Sequence, residues 1–179
     1  NEVDCLRVVD KMYTKGVSSV LDYSVEGKEE EAQFDAALNM TLKTIEFARE
    51  REAIPFAVFK PTGFGRLALY EKVGDKAHLT ENEQKEWNRV IERFDIACKT
   101  AFEKDVLLLI DAEESWMQDA ADAIVTDMMR KYNKQKAIVF NTLQMYRWDR
   151  LDYLKNLHEQ AKSEGFYIGM KLVRGDYMK

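Results

Sequence analysis

Short apolar runs and longer amphipathic stretches alternate along this chain. The clearest run, Val106–Ile110, contains five apolar residues without alternation. It is too short for a typical helix and indicates a strand buried on both faces, as in parallel sheets. Four further runs indicate strands, and they are Val17–Val25, Ile54–Phe59, Ala137–Phe140 and Phe166–Val173. The pattern therefore predicts five strands.

Between these runs, apolar residues recur every three or four positions, as in helices that bury one face. Thr80 followed by Glu83 forms a capping-box pattern at the start of the longest such stretch. The predicted helices are Glu2–Lys15, Glu29–Arg51, Leu67–Val73, Thr80–Lys104, Ser115–Tyr132 and Arg147–Glu164. Strands that alternate with helices predict an α/β fold with a parallel sheet and right-handed crossovers.

Two architectures fit this order of elements. An open, doubly wound sheet of five strands suits a chain of 179 residues, whereas an eightfold barrel normally needs roughly 250. Polar residues at every predicted strand end favour a barrel, because an open sheet would concentrate them at one switch point. These residues are Asp22 and Glu26, Lys60 and Thr62, Asp111 and Glu113, Asn141 and Gln144, and Lys171 and Arg174.

Composition limits the classes of function. A net charge of -5, a pI of about 5.2 and scattered basic residues argue against a nucleic-acid partner. Cys5 and Cys98 lie in apolar helical patterns and are expected to be reduced structural thiols. No apolar run approaches the ~20 residues of a membrane span, and the N-terminal sequence lacks the pattern of a signal peptide. We expect one soluble globular domain, since neither a repeat nor a linker interrupts the pattern.

The strand ends carry the candidate chemistry. A lysine that directly follows a buried strand, as Lys60 does, calls for an anion, because burying an unpaired ammonium group is costly. Asp111 and Glu113 are two residues apart and would point to the same side if their strand continued. A site of cations, amides and a carboxylate suits an anionic cofactor and a small zwitterionic substrate.

A metal centre and a phosphate-binding loop are the alternative kinds of site. Asp111 with Glu113 and Glu114 could bind Mg²⁺, but the neighbouring strand ends supply lysine and glutamine in place of further carboxylates. Gly63-Phe64-Gly65 lacks both the dinucleotide fingerprint and the Lys-Ser/Thr of a P-loop. We therefore expect neither a metal centre nor a P-loop, although a metal-dependent enzyme that uses Asp111 remains an alternative.

Four motifs at successive strand ends resemble the proline dehydrogenase family. They are Phe59–Gly63, Leu109–Glu114, Gln144–Tyr146 and Lys171–Tyr177, and the resemblance extends from about Ser18 to the last residue. It implies a distorted (β/α)₈ TIM-type barrel that binds FAD, of which residues 1–179 form the N-terminal part with about five of eight βα units. It also implies oxidation of L-proline to Δ1-pyrroline-5-carboxylate, the first step of proline catabolism, with electrons passed to a quinone-type acceptor.

The resemblance also assigns roles to single residues. Lys60 would pair with the substrate carboxylate, Asp111 would lie near flavin and substrate, and Tyr177 would line the proline pocket. The implied cofactor-binding residues are Asp111, Gln144, Lys171, Val173 and Gly175, with Arg174 as a further flavin-side or structural cation. The family usually has alanine where this chain has Asp176, which puts the fit of the substrate in question.

The resemblance leaves the activity of these 179 residues alone open. The family has three further βα units, so a non-catalytic fragment or assembly piece is the alternative from another class. A quinone acceptor implies peripheral membrane contact. The implied location is the cytoplasm at the inner membrane, or the mitochondrion in a eukaryote.

Overall fold

The computed structural model of this protein describes residues 2–22 and 29–175, with side chains from Leu6 onward. Six helices and four strands lie in this part of the chain. The helices are α1 (Glu2–Tyr13), α2 (Glu31–Arg49), α3 (Leu67–Gly74), α4 (Glu81–Lys104), α5 (Ser115–Tyr132) and α6 (Arg150–Glu164). The strands are β1 (Phe56–Phe59), β2 (Leu107–Ile110), β3 (Val139–Gln144) and β4 (Met170–Val173), and a short 3₁₀ turn, Pro61–Gly63, follows β1.

The sheet is parallel and its strands lie in chain order, β1-β2-β3-β4. Leu21 adds a parallel bridge to Ala57 on the outer side of β1. A doubly wound sheet reverses its strand order at the switch point, whereas a barrel adds each new strand beside the last. The observed order is therefore that of a barrel, and it brings the carboxyl ends of all four strands to one rim.

The predicted strand limits need three corrections. Within Val17–Asp22 only Leu21 makes a strand contact, and the rest of the predicted first strand lies outside the described residues. β3 continues to Gln144, because Asn141, Thr142 and Gln144 pair with β4 and have buried polar partners. β4 starts only at Met170, because the chain after α6 first closes that helix, with the Phe166 amide donating to the Ala161 carbonyl.

Helices α2, α4 and α5 pack against the strands, and the helix lengths follow the predictions closely. The capping box at the start of α4 is present, with the Glu83 amide donating to the Thr80 hydroxyl. α6 begins at Arg150 and not at Arg147, because Arg147 belongs to the turn after β3. Cys98 is fully buried as a free thiol, as expected, and burial raises its pKa.

An aromatic cluster packs directly beneath the turn that follows β1. The rings of Phe59 and Phe64 are stacked with centroids 4.4 Å apart, and Phe94 of α4 meets both rings edge-on. All three side chains are almost completely buried. Aromatic pairs in this geometry add stability beyond area burial, so the base of the strand-end rim is well packed.

Candidate active site

A cavity of about 390 Å³ opens at the carboxyl ends of the strands. It is lined from all four strand ends, by Lys60, Asp111, Ala112, Thr142, Gln144, Lys171, Val173, Arg174 and Gly175. The register explains this convergence. Phe59 pairs with Ile110, so Lys60 and Asp111 leave neighbouring strands at the same level, and Gln144 pairs with Val173.

The cavity wall carries three cationic side chains and one carboxylate. The cations are Lys60, Lys171 and Arg174, and the carboxylate is Asp111. A cavity with this excess of positive charge concentrates field lines that favour an anionic ligand. The charge therefore suits a phosphate-bearing cofactor, a carboxylate substrate, or both.

Inside this cavity, an ion pair joins β4 to the residue that follows β2. Lys171 Nζ lies 2.6 Å from Asp111 Oδ1, and the two side chains are 33% and 26% exposed. Thr142 lies on the strand between them and donates its hydroxyl to the Ile110 carbonyl at 2.9 Å, with Asp111 Oδ1 at 3.4 Å. Because the pair is only partly exposed, Asp111 fixes the direction in which the Lys171 ammonium group faces the cavity.

Gln144 is buried at the end of β3, and its two amide atoms have different surroundings. Nε2 donates to the Glu113 carbonyl at 2.5 Å, whereas the buried Oε1 accepts no hydrogen bond from the described residues. Most buried polar atoms in folded proteins have a partner. The carbonyl end of Gln144 is therefore an acceptor suited to an N–H group of a ligand in the adjoining cavity.

Glu113 does not face the cavity beside Asp111. β2 ends at Ile110, so the alternation of side chains expected for a continuing strand does not apply. The Glu113 carboxylate is almost completely buried and accepts two hydrogen bonds from Thr62, from the amide at 2.8 Å and from the hydroxyl at 2.6 Å. The two acidic residues of this motif thus have separate structural positions.

Gly175 occupies a position that requires glycine. Its φ of +99° is disfavoured for residues with a Cβ, and a Cβ built there would lie 2.2 Å from Cδ1 of Tyr146. The main chain is tied at the same place, because the Tyr146 amide donates to the Arg174 carbonyl at 2.9 Å. Gly175 therefore allows the chain after β4 to pass closely over Tyr146 at the cavity edge.

The structure brings together seven of the eight residues to which the resemblance gave a role. The cavity is lined by Lys60, Asp111, Gln144, Lys171, Val173, Arg174 and Gly175, whereas Tyr177 lies outside the described residues. Their roles toward FAD and proline stay predictions. Two lining residues, Thr142 and Ala112, were not singled out. Thr142 is two residues before Gln144, so both side chains lie on the same face of β3. A predicted strand that reached Gln144 would therefore have included Thr142 among the candidates.

The metal alternative finds no geometric support in residues 2–22 and 29–175. No group of three or more His, Cys, Asp or Glu side chains among them is placed to hold a metal ion. Glu113, one of the three acidic residues considered, is turned toward Thr62. Within the same part of the chain, no helix combines the length and apolar character of a membrane span.

Comparison with known proteins places this architecture among its relatives. Residues 5–179 match the family described as proline dehydrogenase. The carbapenem antibiotics biosynthesis protein CarD of Pectobacterium carotovorum is 37% identical over 164 residues, which cover 92% of this chain and 44% of CarD. The mitochondrial proline dehydrogenase 1 of Drosophila melanogaster is 42% identical over 102 residues, which cover 57% of this chain and 15% of that protein.

Solved structures of proline utilization A (PutA) share the fold. PutA from Bdellovibrio bacteriovorus, inactivated by N-propargylglycine, superposes with a TM-score of 0.76 at 16% identity, over 95% of this chain and 19% of that one. PutA from Corynebacterium freiburgense gives 0.75 at 16% identity, over 96% and 17%. The likeness agrees with a parallel α/β fold of the TIM-barrel type.

The chain spans less than half the length of each of these relatives. Within that span, the family match covers nearly every residue and includes all the strand-end motifs described above. This chain belongs to the proline dehydrogenase family.

Proposed function

We propose that this chain forms the N-terminal part of a single barrel domain that oxidises L-proline to Δ1-pyrroline-5-carboxylate with bound FAD. The observation that carries the proposal is the cavity at the strand ends, where Lys60, Asp111, Gln144 and Lys171 meet. A barrel enzyme places its chemistry at this rim. Family membership supplies the reaction class, and the donor set of the cavity fits it.

The residues around the cavity fit a flavin. Gln144 Oε1 is a buried acceptor without a described partner, as an N–H of a flavin ring would require. Lys171 and Arg174 supply positive charge on the same wall. We propose that Asp111, Gln144, Lys171, Val173 and Gly175 bind FAD. When bound, FAD supplies the two-electron acceptor that no amino-acid side chain provides.

Lys60 is proposed to bind the substrate carboxylate. It leaves β1 at the level of Asp111 and lines the cavity, which sets the level at which its side chain meets a ligand. A fixed charge pair orients a small substrate and lowers the entropic cost of reaching the reactive geometry. Lys171, held by Asp111, would be a second cation able to stabilise negative charge that develops during oxidation.

The electron acceptor and the location follow from the family as proposals. We propose a quinone-type acceptor, which would be reached by peripheral contact with a membrane. A cytoplasmic protein at an inner membrane satisfies this requirement. Several eukaryotic relatives have names that state a location, that of Drosophila melanogaster among them, and the location is mitochondrial.

The proposal is tested on the purified complete gene product. We expect a yellow protein whose flavin absorbance is bleached by L-proline in the absence of oxygen. Lys60→Met should raise KM for L-proline by about ten- to a hundredfold with little loss of flavin, because a charge-assisted hydrogen bond contributes roughly 1.5–3 kcal/mol. Lys85→Met, on the exposed side of α4, is the matched control and should leave KM unchanged.

Two results would contradict the proposal. One is a protein that neither carries FAD when purified nor binds it when FAD is added. The other is a flavoprotein whose absorbance does not change with L-proline. Equal KM values for Lys60→Met and Lys85→Met would leave the activity intact but refute the role given to Lys60.

A further inference from the structure

The 3₁₀ turn Pro61–Gly63 determines where Lys60 stands. The turn begins at the residue after Lys60, and the Gly63 amide donates back to the Lys60 carbonyl at 2.9 Å. Any shift of the turn therefore moves the backbone that carries the Lys60 side chain. The central residue of the turn, Thr62, has two donors, and both are taken by the Glu113 carboxylate.

Burial of the Glu113 carboxylate at this position costs free energy. The residue is 4% exposed, and a buried carboxylate is costly unless hydrogen bonds replace its water. Its bonds to the Thr62 amide and hydroxyl, at 2.8 and 2.6 Å, have the short lengths of charge-assisted hydrogen bonds. The carboxylate offers one oxygen to each Thr62 donor, so Glu113 holds the turn through two bonds at once.

The main chain of Glu113 reaches a second strand end. Its carbonyl accepts a hydrogen bond from Gln144 Nε2. This bond fixes the orientation of the Gln144 amide, whose Oε1 then has no hydrogen-bond partner among the described residues. Its amide donates to Gln118 Oε1 at 3.3 Å, which anchors it to α5. One residue thus connects the ends of β1 and β3 through side chain and backbone.

The turn has other attachments that do not involve Glu113. The buried Tyr70 hydroxyl donates to the Pro61 carbonyl at 2.8 Å, and Arg93 Nη1 donates to the Phe64 carbonyl at 3.1 Å. Phe64 itself is locked in the aromatic cluster. Loss of the Glu113 charge should therefore change the position of Thr62 and Lys60 without unfolding the turn.

We propose that Glu113 is a positioning residue, whose carboxylate sets the Thr62 turn so that Lys60 meets the substrate carboxylate. This inference rests on the proposed function, since it deepens the role given to Lys60. Glu113 itself does not touch the ligand. It acts through Thr62, and its effect on binding should require an intact Lys60.

The test is a double-mutant cycle on the complete gene product. Glu113→Gln retains size but offers an NH₂ group to one of the two Thr62 donors. The probe is cyclopentanecarboxylate, which has a ring and a carboxylate but no oxidisable amine, and its Kd is measured by calorimetry. We expect Glu113→Gln to weaken binding about tenfold in the Lys60 protein and less than about twofold in Lys60→Met.

Two further measurements separate positioning from general damage. Hydrogen exchange at the Thr62 amide should accelerate in Glu113→Gln, while the flavin content and the melting temperature stay near those of wild type. Glu114→Gln makes the same chemical change one residue later and is the matched control, with wild-type Kd expected. Thr62→Val, which removes only the hydroxyl donor, should weaken the probe in the same direction and by less.

The outcomes decide between the two proposals. Equal losses from Glu113→Gln with and without Lys60 would show that Glu113 acts elsewhere and would refute this inference alone. So would a wild-type Kd in Glu113→Gln. A wild-type protein that neither binds the probe nor reacts with L-proline would refute the proposed function, and this inference with it.

Discussion

Replacing Arg150 with methionine is expected to lower the free energy of unfolding by about 3–5 kcal/mol, because it breaks a buried ion pair. Arg150 Nη1 lies 2.6 Å from Asp122 Oδ2, and each side chain is only 4% exposed. Asp122 Oδ1 also accepts from Gln118 and Asn141, both at 2.8 Å. These amide donors remain in the variant, but they carry no charge to balance the carboxylate.

Replacing the acidic partner, Asp122, should lower the free energy of unfolding by less. In Asp122→Asn, Arg150 keeps its bonds to Asp149, a partner that is 28% exposed and shares its charge with water. The remaining loss is that of unsatisfied buried hydrogen-bonding groups, about 1–3 kcal/mol. The control is Arg89→Met, which breaks an exposed pair with Glu31 and should cost under about 1 kcal/mol.

The assay is urea denaturation of the four proteins at several pH values. Burial raises the pKa of Asp122, and loss of the cation should raise it further. A carboxyl whose folded pKa is raised binds more protons in the native state, so stability falls as pH rises toward that pKa. The penalty of Arg150→Met should therefore be larger at pH 8 than at pH 5. A penalty no greater than that of Arg89→Met, or one independent of pH, would refute this reasoning.

Three other outcomes are expected. Gly175→Ala should destabilise the protein by about 1–3 kcal/mol in thermal unfolding, since the new Cβ collides with Tyr146 and the φ angle is strained; an unchanged melting temperature would contradict this. Burial raises the pKa of Asp149, but hydrogen bonds from Arg150 and Arg147 outweigh it and lower that pKa to about 2, from 3.8. Its stabilisation is then present above about pH 4 and lost as pH falls toward 2, so the stability difference between wild type and Asp149→Asn should vanish over that range. Thr80→Ala should cost about 1 kcal/mol in urea denaturation through loss of the α4 cap, and no loss would show that the capping box is not used.

Most of the elements followed from local pattern. The apolar run Val106–Ile110 contains β2, and the helical periodicity placed α5 at its observed limits. The error at β3 has a clear physical cause. β3 was predicted too short because Asn141 and Thr142 look like loop residues in sequence, yet buried partners such as Asp122 and the Ile110 carbonyl satisfy them inside the sheet.

The candidate site could likewise be predicted only in part from the sequence. Strand ends can be read from sequence, so Lys60, Asp111, Gln144 and Lys171 could be named as residues of one rim, and they line one cavity. What each side chain contacts could not be read. The motif containing Asp111 and Glu113 suggested two carboxylates on one side, but only Asp111 lines the cavity.

Three features can be read directly from the amino-acid sequence: the order of strands and helices, the chemical character of the strand ends and, through the motifs, the family. These features depend on periodicity and on residues close together in the chain. Only the folded chain shows that Lys171 pairs with Asp111 across Thr142 and that Glu113 pairs with Thr62, residues that are 60 and 51 positions apart. Such contacts arise from strand register and from where a strand stops, and the spacing of residues along the chain does not encode either.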